Sequence, residues 1–194
     1  MSIAEQEKAK YTKVWDNPLY REGCHSIGVW EDYCSSYGPD SSVIDLGCGT
    51  GRLVDRLNQA GHYAYGVDIA PNSVDPDILK SWNNRFSFQP LWEKIPLVSH
   101  QLWDVGVCTD VMEHIPEELV KDTLQCIMRA CHQVFFLIAG TLDYAGRMGE
   151  VPLHLTVKSH AWWLERFLKM GWGVDMLSPG KYHRASSYYF RVWQ

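Results

Sequence analysis

Val43-Ile44-Asp45-Leu46-Gly47-Cys48-Gly49-Thr50-Gly51-Arg52-Leu53 is the stretch that decides how the rest of the chain is read. An apolar strand runs into a turn with glycines at 47, 49 and 51, and a helical pattern begins directly after it. Such a turn needs residues without a Cβ wherever the backbone must approach a ligand closely. The helix it opens presents free N–H groups at its start. Asp45 stands just ahead of the glycines, where it would repel a pyrophosphate and attract a cationic group.

Outward from this unit the chain alternates between apolar runs and helical patterns. Residues 3–13 and 19–36 read as helices separated by the Asp16-Asn17-Pro18 turn, and Tyr37-Gly38-Pro39-Asp40 breaks the chain before a strand at 42–46. A helix at 50–60, a strand at 62–67, a helix at 71–82 disturbed by Pro76, and strands at 85–89 and 103–108 follow. Pro116, Glu117 and Glu118 suit the start of a helix spanning 116–131. Val134 to Ala139 is continuously apolar, as a strand buried on both faces requires. Ser159 caps a helix at 160–170 that stops at Gly171, and strands at 172–177 and 186–193 close the chain. This alternation predicts an α/β fold: one Rossmann-like, seven-stranded, mostly parallel sheet covered on both faces. A single domain over 1–194 is expected, with residues 1–40 as an N-terminal helical cap and 41–194 as the ligand-binding core.

Bulk properties narrow the class. The chain has 194 residues and a formal net charge of −5, which speaks against nucleic acid as a partner, because that usually calls for a basic face. Lys181, His183 and Arg184 form the one modest basic cluster, read most simply as a solvated loop. No apolar run reaches the roughly 20 residues of a membrane span, and the first residues are too polar for a secretory signal. The six cysteines form no C-x-x-C pair, so a cytoplasmic location and no metal centre are expected.

Two cofactors compete for a strand, glycine turn and helix. The dinucleotide fingerprint would place glycines at 47, 49 and 52, but position 52 is Arg and the third glycine is Gly51. An acid at 45 also sits poorly beside a pyrophosphate. Asp68, ending the second strand, suits ribose hydroxyls in either case. The combination favours S-adenosylmethionine (SAM) over a nicotinamide dinucleotide.

With these residues in place, the chain resembles the class I SAM-dependent methyltransferases, in particular the small-molecule type found in bacteria and phages. The matching stretches are Val43–Leu53, Tyr65–Ala70, Trp103–Pro116 and Pro152–Val157, so the likeness covers about residues 40–194. The resemblance implies SAM as cofactor and a small-molecule acceptor. It implies that Asp45 faces the methionine amino group, directly or through water, and that Gly47, Cys48, Gly49 and Gly51 approach the methionine and ribose. Asp68 would take the ribose hydroxyls, Ile69, Leu91 and Trp92 would meet the adenine, and Cys108 and Thr109 would pass below the sulfonium. Family members often carry an Asp near Gln89-Pro90-Leu91 for the adenine amino group; Gln89 is the available substitute.

Methyl transfer from SAM is an in-line displacement governed by positioning, with a base needed only when the nucleophile must lose a proton. His154 is the first choice as base, followed by Asp110 and His114; Glu113 and His25 read more simply as structural. Trp15, Tyr20, Trp92, Tyr144 and Trp162 are candidate pocket walls, and Tyr11 or Arg21 could close the cap over the SAM carboxylate. No N-P-P-Y or D-P-P-Y segment follows the fourth strand and no Pro-Cys nucleophile is present, which disfavours DNA-base methylation. A macromolecular acceptor, or a SAM-binding subunit without catalysis, are the alternatives.

Overall fold

The computed structural model describes residues 1–99, 101–143, 152–181 and 186–194. Tyr144, His183 and Arg184, named above, lie outside the described residues. Seven strands form one sheet: β1 (Ser42–Leu46), β2 (Tyr63–Asp68), β3 (Phe86–Phe88), β4 (Val105–Thr109), β5 (Gln133–Ala139), β6 (Gly173–Met176) and β7 (Ser187–Trp193). Their spatial order is β3-β2-β1-β4-β5-β7-β6, and only β7 runs against its neighbours. The order reverses between β1 and β4. In open α/β sheets ligands bind outside the strand carboxyl ends at such a reversal, so the glycine turn after β1 stands where a site is expected.

Period-two alternation sends each strand's side chains to opposite faces. Ile44, Leu46, Phe136 and Ile138 meet α5 (Val120–Ala130) and α6 (His160–Lys169) through Leu124, Ile127, Met128, Trp163 and Phe167. Val43, Val105, Val107, Phe135 and Leu137 face the other way, onto Val29 and Trp30 of the chain around α2 (His25–Val29) and onto Leu53, Val54 and Leu57 of α3 (Arg52–Gln59). The strands between two such layers have no solvent face, which is why β5 reads as an unbroken apolar run.

Several boundaries differ from the sequence reading, each for a local reason. The expected helix 50–60 starts at Arg52, because Gly51 holds a left-handed φ of 77° as its N-cap. The expected helix 71–82 shrinks to α4 (Pro76–Ser81): Pro76 opens the helix and does not disturb it, since its missing N–H is unneeded at the first position. The expected helix 19–36 is broken at Gly23, leaving a 3-10 turn at Pro18–Glu22, then α2, then a π-type turn at Trp30–Cys34. The expected helix 116–131 is a 3-10 turn at Glu117–Leu119 followed by α5. The strand expected at 103–108 begins at Val105, with Trp103 making only an isolated bridge to Cys131.

The N-terminal helix is tied to the segments that follow β1 and β2. Helix α1 (Ile3–Trp15) begins with a Ser2–Glu5 capping box and buries no residue fully. Polar links tie it down. Arg21 donates to the carbonyls of Trp15, Asn72 and Ser73 at 3.1, 3.0 and 2.8 Å and to the Asp75 carboxylate at 2.8 Å. Asn72 donates in turn to the Thr12 carbonyl and the Asp16 carboxylate, both at 2.9 Å. No helix among the described residues is long and apolar enough to cross a membrane.

Candidate functional site

The turn after β1 is held by the neighbouring strand. The N–H groups of Gly47 and Cys48 both donate to the Val67 carbonyl, at 2.8 and 3.0 Å, and Gly51 N–H donates to Cys48 at 2.9 Å. Gly47 and Gly49 have φ of 79° and 48°. A Cβ at Gly47 would stand 2.3 Å from Val111 Cγ2, and one at Gly49 would stand 2.8 Å from the Trp15 ring. Glycine here meets both demands, the backbone angle and the close approach. The cap tryptophan sits directly on the turn.

Two buried carboxylates flank this turn. Asp68, at the end of β2, accepts from Gly49 N–H at 3.0 Å and Ala70 N–H at 2.9 Å. Burial pushes its carboxyl up to about 6 in spite of these donors. Asp45 is 2% exposed, and loss of solvent raises it to about 7, countered in part by the Ser26 hydroxyl beside it. Neither Asp45 oxygen makes a well-formed hydrogen bond. A buried carboxylate in this condition is stabilised by any cationic group brought alongside.

Above the turn lie two adjoining cavities that share Trp15, Tyr20, Gly47, Asp110 and His114 in their walls. The first, of about 610 Å³, extends over Asp68, Ile69, Gln89, Leu91 and Trp92. The second, of about 860 Å³, extends over Cys48, Gly49, Thr109, His25 and His154. The structure therefore brings Gly47, Cys48, Gly49, Asp68, Ile69, Leu91, Trp92 and Thr109 to cavity walls, together with Asp110, His114 and His154. Asp45, Gly51 and Cys108 lie behind the walls: Gly51 packs against Phe86 and Val74, and Cys108 is fully buried in the core. Trp15, Tyr20 and Trp92 line these cavities. Trp162 does not; it lies on α6 against Trp163 and Arg166, on the surface that covers the sheet. Arg21 is committed to the cap, as described, and not to the cavity.

The His114–His154 end of the second cavity is assembled by backbone. The N–H groups of Leu155 and Thr156 both donate to the Glu113 carbonyl at 2.8 Å, and the Thr156 hydroxyl donates to Ile115 at 2.7 Å. These bonds lay the 153–156 segment along 113–115. The His114 and His154 rings consequently meet edge to face with centroids 4.6 Å apart. His154 Nδ1 faces the Thr141 carbonyl at 2.7 Å, and His114 Nδ1 faces the Tyr11 hydroxyl at 2.8 Å. Burial, and the neighbouring His154, lower His114 to about 3, so it is neutral at physiological pH. Asp110, with a left-handed φ of 52°, reaches His25 Nδ1 of the cap at 2.6 Å.

Sequence reasoning missed the Tyr11–His114 link and the Asp110–His25 pair as partnerships, because residues about 100 positions apart leave no local signal. It also assigned no place in the site to Ser26 or Val111. Val111 left a faint trace, as the side chain that Gly47 must clear.

A family model described as a methyltransferase domain matches residues 30–183. A ubiquinone biosynthesis O-methyltransferase from Leptothrix cholodnii is 28% identical over 141 residues, covering 66% of this chain and 57% of that protein. The chain thus spans a little over half the length of this curated relative. Among solved structures, the magnesium protoporphyrin IX methyltransferase of Synechocystis, with bound SAM, superposes with a TM-score of 0.71 at 17% identity, covering 100% of this chain and 98% of that one. DhpI, in its SAM–HEP complex, gives 0.73 at 15% identity with full coverage of both chains. These two likenesses concern the fold, which is that of the class I methyltransferases. The family match extends from Trp30 through the glycine turn and the His114–His154 corner to β6, and on it this chain belongs to the methyltransferase-domain family.

Proposed function

We propose that the chain is a SAM-dependent methyltransferase acting on the oxygen of a small-molecule acceptor. The observation that carries this reading is the buried pair Asp45 and Asp68 on either side of the Gly47–Gly51 turn, at the reversal point of the sheet. On this reading Asp68 takes a ribose diol, and Asp45, behind the cavity wall, attracts an ammonium group, directly or through one water. Ile69, Leu91 and Trp92 supply an apolar slot for a purine, with Gln89 at its edge. Bound SAM would supply an electrophilic methyl group on a good leaving group.

The chain's own contribution is positioning and proton handling. Trp15 and Tyr20, in edge-to-face contact with centroids 4.8 Å apart, cover the turn and shield the reacting atoms from water. Asp110 holds the His25 ring from one side, the arrangement of a carboxylate that orients an imidazole for proton transfer, and we assign the acceptor's proton to that pair. The names of the curated relatives point to a hydroxyl as the acceptor group.

Calorimetric titration with SAM and S-adenosylhomocysteine tests the cofactor site. Micromolar binding is expected, with loss of at least tenfold in Asp68→Ala; an unchanged affinity in that variant would refute the assignment. Transfer of labelled methyl to small-molecule pools, and not to protein or nucleic-acid fractions, tests the acceptor class.

A further inference from the structure

Asp45 acts from behind the cavity walls. Both of its oxygens are buried, and it lines neither cavity. The wall side chain beside it is Ser26 of α2, itself only 5% exposed. Helix α2 fixes that position. Val29 and Trp30, three and four residues further on, are buried in one apolar cluster with Val105 and Val107 of β4. Residues at those spacings share a helix face, so Ser26 is turned toward the sheet as they are. Asp45 stands beside Val107 in the register of β1 and β4, on the face that α2 covers.

A hydroxyl offers one proton and two lone pairs, whereas an ionised carboxylate only accepts. Asp45 therefore takes the Ser26 proton. The Cys24 sulfur lies 3.5 Å from Ser26 Oγ. Burial raises the Cys24 thiol, so it stays protonated and can donate to one lone pair of that oxygen. The second lone pair is left for a donor in the cavity. Among the described residues neither cavity has a Lys or Arg in its wall, while Asp110 and Asp143 line the second and Glu7, Asp68 and Asp110 the first. Walls of this charge favour a cationic donor.

We propose that Ser26 binds the cofactor's α-ammonium group, accepting one N–H at Oγ while donating its own proton to Asp45, in place of a direct contact or a bridging water. The proposal rests on the methyltransferase reading, which supplies the ligand. A hydroxyl that donates to a carboxylate is a stronger acceptor, because linked hydrogen bonds polarise one another. The methionine end of the cofactor site is then completed by α2 and not by the glycine turn alone.

Three ligands separate the parts of the site by calorimetry at pH 7.5: S-adenosylhomocysteine, its deamino analogue, which keeps the carboxylate, and 5′-methylthioadenosine, which ends at the thioether. Ser26→Ala should weaken S-adenosylhomocysteine at least tenfold, the scale of one hydrogen bond to a charged group. It should leave the other two within twofold of the parent. Ser26→Cys, which keeps the size and offers only a weak acceptor, should show the same selective loss. Asp68→Ala should weaken all three. In an Asp45→Asn background, adding Ser26→Ala should cost less than threefold more, since the two residues act as a unit. Parental affinity for S-adenosylhomocysteine in both Ser26 variants, or an equal loss for all three ligands in both, overturns the Ser26 assignment alone. A parent that binds none of the three overturns the methyltransferase reading and this proposal with it.

Discussion

Binding of S-adenosylhomocysteine should weaken steeply as the pH falls from 7.5 to 5.5, and most of that slope should vanish in Asp45→Asn. Burial holds the free Asp45 carboxyl at about 7 and that of Asp68 at about 6. An ammonium beside Asp45 and a ribose diol on Asp68 both favour the ionised carboxylates, so the ligand selects the deprotonated protein and expels protons on binding. Ionised Asp45 falls from about 0.76 to about 0.03 of the population across this window, a factor of about 25, and Asp68 contributes a further factor of about 4. Together these make about 100-fold, or roughly 3 kcal/mol. An α-amino group titrates near 7.7–8.0, so the ligand's own ammonium is about 0.6–0.8 charged at pH 7.5 and fully charged below it, which offsets the slope by less than about twofold. Calorimetry at pH 6 in buffers of different ionisation enthalpy should count about 1.4 protons released per ligand, falling to about 0.5 in Asp45→Asn. An affinity that moves less than about threefold over the window, or an Asp45→Asn variant that keeps the parental slope, would refute the electrostatic reading of the turn.

Gly47→Ala should destabilise the protein by about 2–4 kcal/mol in urea denaturation, combining a left-handed backbone with the 2.3 Å approach to Val111; adding Val111→Ala should restore the packing part and leave the backbone part. Trp163→Ala should cost about 3–5 kcal/mol, since the ring is fully buried between α6 and the sheet. Trp163→Phe should cost much less, because it also removes an indole N–H that is buried without a partner.

The sheet was legible because its strands carry strong local signals. Val134–Ala139 announces burial on both faces, and the glycine turn announces the end of β1. Helix boundaries were harder where one residue type has two uses. Pro76 breaks a helix interior and equally starts one, and only the position of Asp75, bridged by Arg21 and by Arg52 at 3.3 Å, decides between them. The candidate site was legible wherever its residues sit in or just after a strand's carboxyl end, as Asp45, Asp68, Thr109 and Asp110 do. The corner at His114 and His154 was readable only as separate residues. Their meeting depends on the Glu113 carbonyl receiving two N–H groups from the 155–156 backbone, and backbone carbonyls are the same in every residue. Trp162 was misassigned because a tryptophan on an amphipathic helix carries the same apolar signal whether it faces a ligand or packs at a helix surface.

Helix α1, with no buried residue, is held to the molecule by a handful of polar links and one tryptophan seated on Gly49. Segments attached in this way open at a small fraction of the global unfolding free energy. Trp15 covers Gly49, so on the proposed reading of the turn, exchange of spent for fresh cofactor would call for α1 to lift. Turnover would then be timed by helix detachment and not by the chemical step. Amide exchange in residues 3–15 and the steady-state rate would share one clock, and loosening Arg21 would speed both.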